Sequence, residues 1–194
     1  MRPNQYWCIG RNFSDHALEL GNPIPEKPLI FLKSGGCLQT GTELVFPEFC
    51  REIHHEIEIV LLLGEKLKPT HWTLGLDFTE RKIQNELKQL GQPWELSKSF
   101  KGAAALGPWQ ELKNLNDLSD VDFTLTINGF QKQHGHVSQM IFKFDKLIQY
   151  LADRFPLAPG DAIFTGTPAG VGAIHSDDVL EAQCGSLKIQ WKVK

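Results

Sequence analysis

His54-His55-Glu56-Ile57-Glu58-Ile59-Val60-Leu61-Leu62-Leu63 begins as strict alternation and turns into an unbroken apolar run. Strand side chains point alternately to opposite faces, so the pattern predicts a strand whose second half is covered on both sides. The alternation also puts Glu56 and Glu58 on one face, two apart. Carboxylates that close raise each other's pKa unless a cation lies between them, whereas an oxygen-seeking Mg²⁺, Mn²⁺ or Ca²⁺ turns the repulsion into binding. For an arbitrary Glu-x-Glu pair a solvated strand face is the commoner outcome. Here the run from Ile59 to Leu63 is too apolar for a casual surface strand.

Downstream, Leu74-Gly75-Leu76-Asp77 ends a second strand on an acid, a position where sites tend to form. Asp77 is therefore a candidate third ligand, or else the N-cap of a helix predicted over Thr79 to Leu90 and closed by Gly91-Gln92-Pro93. Sequence alone leaves those two readings even. Upstream, Gln5 to Ile9 suits a short strand, and Ser14 can cap one or two helical turns reaching Leu20. On that helix His16 and Glu19 are three apart and can share a face. A carboxylate beside an imidazole raises its basicity, the arrangement for activating a water, although most such pairs merely support a short helix. Leu29 to Leu32 suits a buried strand, with Ser34-Gly35-Gly36 as a turn.

The second half is strand-rich. Asp122 to Asn128 alternates and ends in Asn128-Gly129, a hairpin signal, and Gln139 to Phe155 carries apolar residues at helical spacing. Strands resume at Ala162 to Thr165, Val179 to Ala182 and Leu187 to Trp191. Thr165 to Gly172 is a glycine-spaced loop able to offer N–H groups and hydroxyls to an anion. It has neither the lysine of a phosphate-binding P-loop nor the dinucleotide glycine spacing. His54 and His55 are supports behind an oxygen-ligand site rather than ligands. Lys98 and Arg81 are ordinary singly.

At 194 residues, 41% hydrophobic and without linker or repeat, the chain is expected to be a single domain, 1–194, of β-rich α+β class. A net charge of −3 and a pI near 6.2 give no basic field for nucleic acid or anionic membrane, so a small soluble partner is expected. No signal peptide or membrane span is evident, and four scattered cysteines suggest reduced thiols in a cytoplasmic protein.

Taken in order, Cys8 to His16, Pro28 to Lys33, His54 to Glu58, Leu76 to Arg81, Lys98-Ser99-Phe100, Leu106-Gly107-Pro108 and Pro159 to Gly172 resemble the fumarylacetoacetate hydrolase family, in particular its short members that act on acylpyruvates or oxaloacetate. The resemblance implies a mixed β-sandwich roll, normally a homodimer. It further implies that Glu56, Glu58 and Asp77 hold Mg²⁺ or Mn²⁺, that His16 and Glu19 form a water-activating dyad on a lid, and that Lys98 contacts substrate. By the same likeness Arg81, Gln84 and Thr167 help to bind it. The segment between Glu58 and Asp77 is shorter than in such relatives.

Three acids and one divalent ion leave −1, so an anionic 2-oxo acid needs cations nearby, and Lys98 and Arg81 are the expected ones. The leading expectation is a metal-dependent hydrolase cleaving the carbon-carbon bond of acylpyruvates to pyruvate and a carboxylic acid. The alternatives are an oxaloacetate decarboxylase or tautomerase, a 2-hydroxyhepta-2,4-diene-1,7-dioate isomerase, and, in another class, a catalytically silent metal-binding protein.

Overall fold

The computed structural model of the chain describes residues 1–19 and 24–194, and of residues 16–18 the backbone alone. It opens with β1 (Gln5–Gly10), a short helix α1 (Ser14–Glu19) and β2 (Leu29–Ser34). Two-residue strands β3 (Leu38–Gln39) and β4 (Glu43–Leu44) precede β5 (Ile53–His55) and β6 (Ile57–Leu63). β7 (Pro69–Asp77) and β8 (Thr79–Glu80) lead into α2 (Arg81–Leu90) and α3 (Glu95–Lys98). There follow β9 (Ala104–Leu106), β10 (Gln110–Glu111), the hairpin β11 (Asp122–Ile127) and β12 (Phe130–His136), and α4 (Phe144–Ala152). β13 (Ala162–Phe164), β14 (Gly172–Ala173), β15 (Val179–Cys184) and β16 (Leu187–Val193) complete the chain.

Among the described residues the strands form three sheets. The largest runs β2-β1-β13-β6-β7-β9-β3, with β10 also on β7, and mixes parallel pairs (β1 with β13, β3 with β9) with antiparallel ones. The second, β12-β11-β15-β16-β4, packs across it, with β11 over β6 and β15 over β7. Covered on both faces, all of β6 is buried, as its apolar run requires. The third sheet is small, β14-β5-β8. One contiguous core joins these layers, which is the β-rich α+β roll expected. No helix among the described residues is long and apolar enough to cross a membrane, and all four cysteines are free.

Three sequence expectations are corrected. Glu56 is not within a strand: His55 pairs with Gly172 in the small sheet, Ile57 pairs with Leu76 in the large one, and the chain changes sheets at Glu56. That corner places both glutamates at the junction of two sheets. The helix after Asp77 starts only at Arg81, because Thr79 and Glu80 pair with β5 and the Glu80 carboxylate caps Ile83 N at 2.5 Å. Asp77 is thus not a cap, and Gly91 in the left-handed conformation (φ 64°) ends the helix as expected.

The helix predicted over 139–155 shrinks to α4, because Asn12 captures its first turn. Ile141 N donates to Asn12 O at 2.8 Å, Phe142 N to Asn12 Oδ1 at 2.8 Å, and Met140 bridges to Phe13. The Asn12 Nδ2 donates in turn to Phe142 O (3.0 Å) and Thr165 O (2.7 Å), tying β1 to the glycine loop. Asn12→Ala is expected to lower unfolding free energy by about 2–4 kcal/mol in urea titration, since it leaves buried backbone groups unpaired. A loss under about 0.5 kcal/mol would show that these bonds do not hold the loop.

Candidate metal centre

Glu56 at the sheet corner, Glu58 on β6 and Asp77 at the end of β7 are all buried, and each offers a carboxylate oxygen within 4.8 Å of the other two. Asp77 N donates to Glu56 O at 2.9 Å, which locks the corner to the strand end. Three cations face the acids. Lys98 Nζ donates to Glu56 Oε2 (2.8 Å) and Asp77 Oδ2 (2.9 Å), and Arg81 Nη2 donates to Glu56 Oε1 (2.6 Å), which also accepts from Thr79 Oγ1 (2.9 Å). Lys33, fully buried on β2, is the third, with Nζ 2.8 Å from Asp77 Oδ1.

Lys33 settles whether these acids suit a metal ion. Its ammonium has three hydrogens, and it donates to the carbonyls of Phe78 (3.0 Å), Ala103 (2.9 Å) and Lys98. None is left for Asp77 Oδ1, which stays in charge contact without a hydrogen bond. A buried carboxylate oxygen with its lone pairs unused is an open ligand position. Glu58 is short of positive charge as well. Burial above all, then Asp77 and Glu56, pushes its pKa well above the carboxylate range against the Gly166 N–H (2.6 Å) and Lys98. Three oxygen donors with these properties fit a hard divalent cation.

Glu56, Glu58, Asp77, Lys98, Arg81, Gln84 and Thr167 line one pocket, so seven of the nine residues singled out in the sequence are brought together. Glu19 lies outside its lining, and its carboxylate accepts from Gly170 N at 3.0 and 3.2 Å. The His16 side chain is outside the described residues. His54 Nδ1 accepts from Arg81 Nε at 3.4 Å, so it does support the site from behind. Burial holds the His55 imidazole below its usual pKa, leaving it neutral with Nδ1 2.9 Å from Gln133 Oε1.

Hydrogen-bond direction leaves free donors on residues that share the pocket with the acids. Gln84 Oε1 accepts from Arg81 Nη1 (2.6 Å), which leaves its amide N–H groups to donate. Thr167 Oγ1 accepts from Gln133 Nε2 (2.8 Å), which frees its own hydroxyl hydrogen. Lys98 keeps one N–H beyond its two carboxylate bonds. Gln133, absent from the sequence reading, is satisfied at every position: Nε2 also donates to Pro168 O (2.9 Å), and Oε1 accepts from Ile57 N (3.0 Å). It lies in a strand polar on both faces, so no pattern marks it. Lys33 did carry a signal, a charge directly after the apolar run Leu29-Ile30-Phe31-Leu32. Gly166 (φ 107°) has no room for a side chain, since a Cβ would lie 2.5 Å from that of Asn12.

Three buried acids, one with an oxygen that has no hydrogen bond, share a pocket with several free donors and could hold a metal ion. The chain belongs to the fumarylacetoacetate hydrolase family: residues 5–190 match the model described as fumarylacetoacetate (FAA) hydrolase C-terminal. It is 38% identical over 185 residues to the mitochondrial oxaloacetate tautomerase fahd-1 of Caenorhabditis elegans, covering 90% of this chain and 86% of that protein. Among solved structures it resembles fumarylpyruvate hydrolase from Pseudomonas aeruginosa in complex with Mn²⁺ and pyruvate (TM-score 0.90, 29% identity, 97% of this chain and 88% of the other). A fumarylacetoacetate isomerase/hydrolase candidate from Oleispira antarctica superposes at TM-score 0.93 with 35% identity, over 99% of this chain and 94% of that one.

Gln133→Ala is expected to cost about 2–4 kcal/mol in stability and to raise KM for an anionic ligand, because Thr167 loses the donor that orients its hydroxyl. A Gln133→Ala protein with unchanged KM would show that Thr167 does not need that partner.

Proposed function

We propose that the protein is a divalent-metal-dependent enzyme of 2-oxo acids that interconverts the keto and enol forms of oxaloacetate. The free donors of Lys98, Arg81, Gln84 and Thr167 in one pocket with the three acids carry this reading, because they suit a carboxylate next to a keto oxygen that gains negative charge. Likeness to an oxaloacetate tautomerase over most of both chains supports it. Glu56, Glu58 and Asp77 would hold Mg²⁺ or Mn²⁺, which when bound supplies Lewis-acid polarisation of the keto group.

The chain's own residues do the remainder. Arg81 keeps two N–H groups beyond its bonds to Glu56, Gln84 and His54, and these with Gln84 and Thr167 hold the substrate carboxylate. The free Lys98 N–H meets the charge that grows on the keto oxygen as a proton leaves C3. His16 is assigned as the base that takes this proton, with Glu19 keeping α1 against the glycine loop through Gly170. The proton then returns to oxygen, which completes the keto-to-enol exchange.

The Glu19 to Gly170 contact also favours a second reading, carbon-carbon hydrolysis of acylpyruvates, because it brings the helix bearing His16 to the loop bearing Thr167. There His16 deprotonates a water, whose oxygen attacks the distal carbonyl carbon. The bond between C3 and that carbonyl carbon breaks, its electron pair stays on the pyruvyl fragment, and protonation gives pyruvate and a carboxylic acid.

Oxaloacetate tautomerisation and acetopyruvate cleavage, each followed by loss of enol or diketone absorbance, test both readings. Turnover is expected with Mg²⁺ or Mn²⁺ and is expected to vanish with a chelator. Glu58→Gln should weaken Mn²⁺ binding at least about tenfold in calorimetry, since it removes a charged oxygen ligand. Absence of metal-dependent turnover of both compounds would overturn the proposal.

A further inference from the structure

The pocket holds two cations that the metal centre leaves unused. Arg11, in the turn after β1, and Lys88, in the last turn of α2, both line it beside Phe31 and Trp94. Each is half-buried, and among the described residues neither forms an ion pair with an acid. Lys88 Nζ instead sits 5.3 Å from the Trp94 ring centroid. Arg11 occupies the left-handed conformation (φ 58°), which a side chain of its size seldom adopts. Asn12, directly after it, is fixed by its bonds to Phe142 and Thr165, so the surrounding structure holds that turn in place.

Charge counting gives these two cations a purpose. The acids lining the pocket are Glu56, Glu58 and Asp77, and Lys33, Lys98 and Arg81 are already engaged by Glu56 and Asp77. A divalent ion adds two positive charges, matched by a pyruvyl head through its carboxylate and the charge developing on its keto oxygen. Arg11 and Lys88 then remain without anions in a partly desolvated place, which is costly for cations. Burial lowers the basicity of Arg11, while burial followed by the nearby Arg81, Arg11 and Lys98 charges brings Lys88 down to about 8.

We propose that Arg11 and Lys88 form a subsite for a second carboxylate, so that the pocket selects 2-oxo dicarboxylates over 2-oxo acids ending in an alkyl group. The assignment rests on reading the site as a 2-oxo acid centre and adds the residues that recognise the far end of the substrate. Phe31 and Trp94 flank them, so the carboxylate would be bound by charge against an apolar wall rather than in open water.

The test compares oxaloacetate with acetopyruvate on Mn²⁺-loaded wild type, Arg11→Met, Lys88→Met and Lys88→Arg. The ratio of kcat/KM for oxaloacetate to that for acetopyruvate is expected to fall about tenfold to a hundredfold in each Met variant, mainly through KM, because a charged hydrogen bond is lost. Lys88→Arg should restore most of the ratio. A ratio unchanged in both Met variants overturns the subsite, as does an equal loss on both substrates. Should wild type turn over neither compound, the reaction reading falls while calorimetric titration with malonate still decides the subsite. Malonate binding weakened in both Met variants supports it, and binding unaffected by them overturns it.

Discussion

Three carboxylates gathered within 4.8 Å in a protein interior repel one another and have lost the water that would stabilise them. Everything around them answers that problem. Lys33 comes from β2, Arg81 from the start of α2 and Lys98 from the end of α3, and each carries its charge to the acids through a separate part of the fold. The sheet change at Glu56, the late start of α2 and the burial of β6 are the backbone conditions under which these charges meet. With Lys33 included, three cationic side chains meet these acids. The sequence estimate, which counted only Lys98 and Arg81, lacked one cation.

What could be read from sequence was local. The apolar run after Glu58, the Asn128-Gly129 hairpin and the Gly91 helix stop depend on neighbouring residues, and all three recur in the structure. What escaped was tertiary. The segment after Gln139 has helical spacing, yet Asn12, far away in the chain, takes the N–H groups of Ile141 and Phe142 and keeps that turn extended. Glu56 alternates like a strand residue, but no local pattern announces that its two flanking residues pair in different sheets. Gln133 is one polar residue among several on β12, and only the folded chain distinguishes it.

The centre owes its direction to hydrogen-bond polarity as much as to charge. An amide or hydroxyl can face a ligand with either a lone pair or a hydrogen, and which it presents depends on the group behind it. Arg81 behind Gln84 and Gln133 behind Thr167 both turn hydrogens toward the pocket. Carboxylate oxygens and free donor hydrogens thus line the same pocket. Gly166 contributes from the acidic side, its N–H directed at Glu58 where a larger residue would collide with Asn12.

The three carbonyls that Lys33 grips belong to Phe78, Lys98 and Ala103, the chain segments on either side of α2 and α3. The Lys33 side chain thus performs the cross-linking that in many small metalloproteins falls to the metal itself. The strand end bearing Asp77 is thereby tied, through a side chain that comes from β2, to the end of α3 and to the approach to β9.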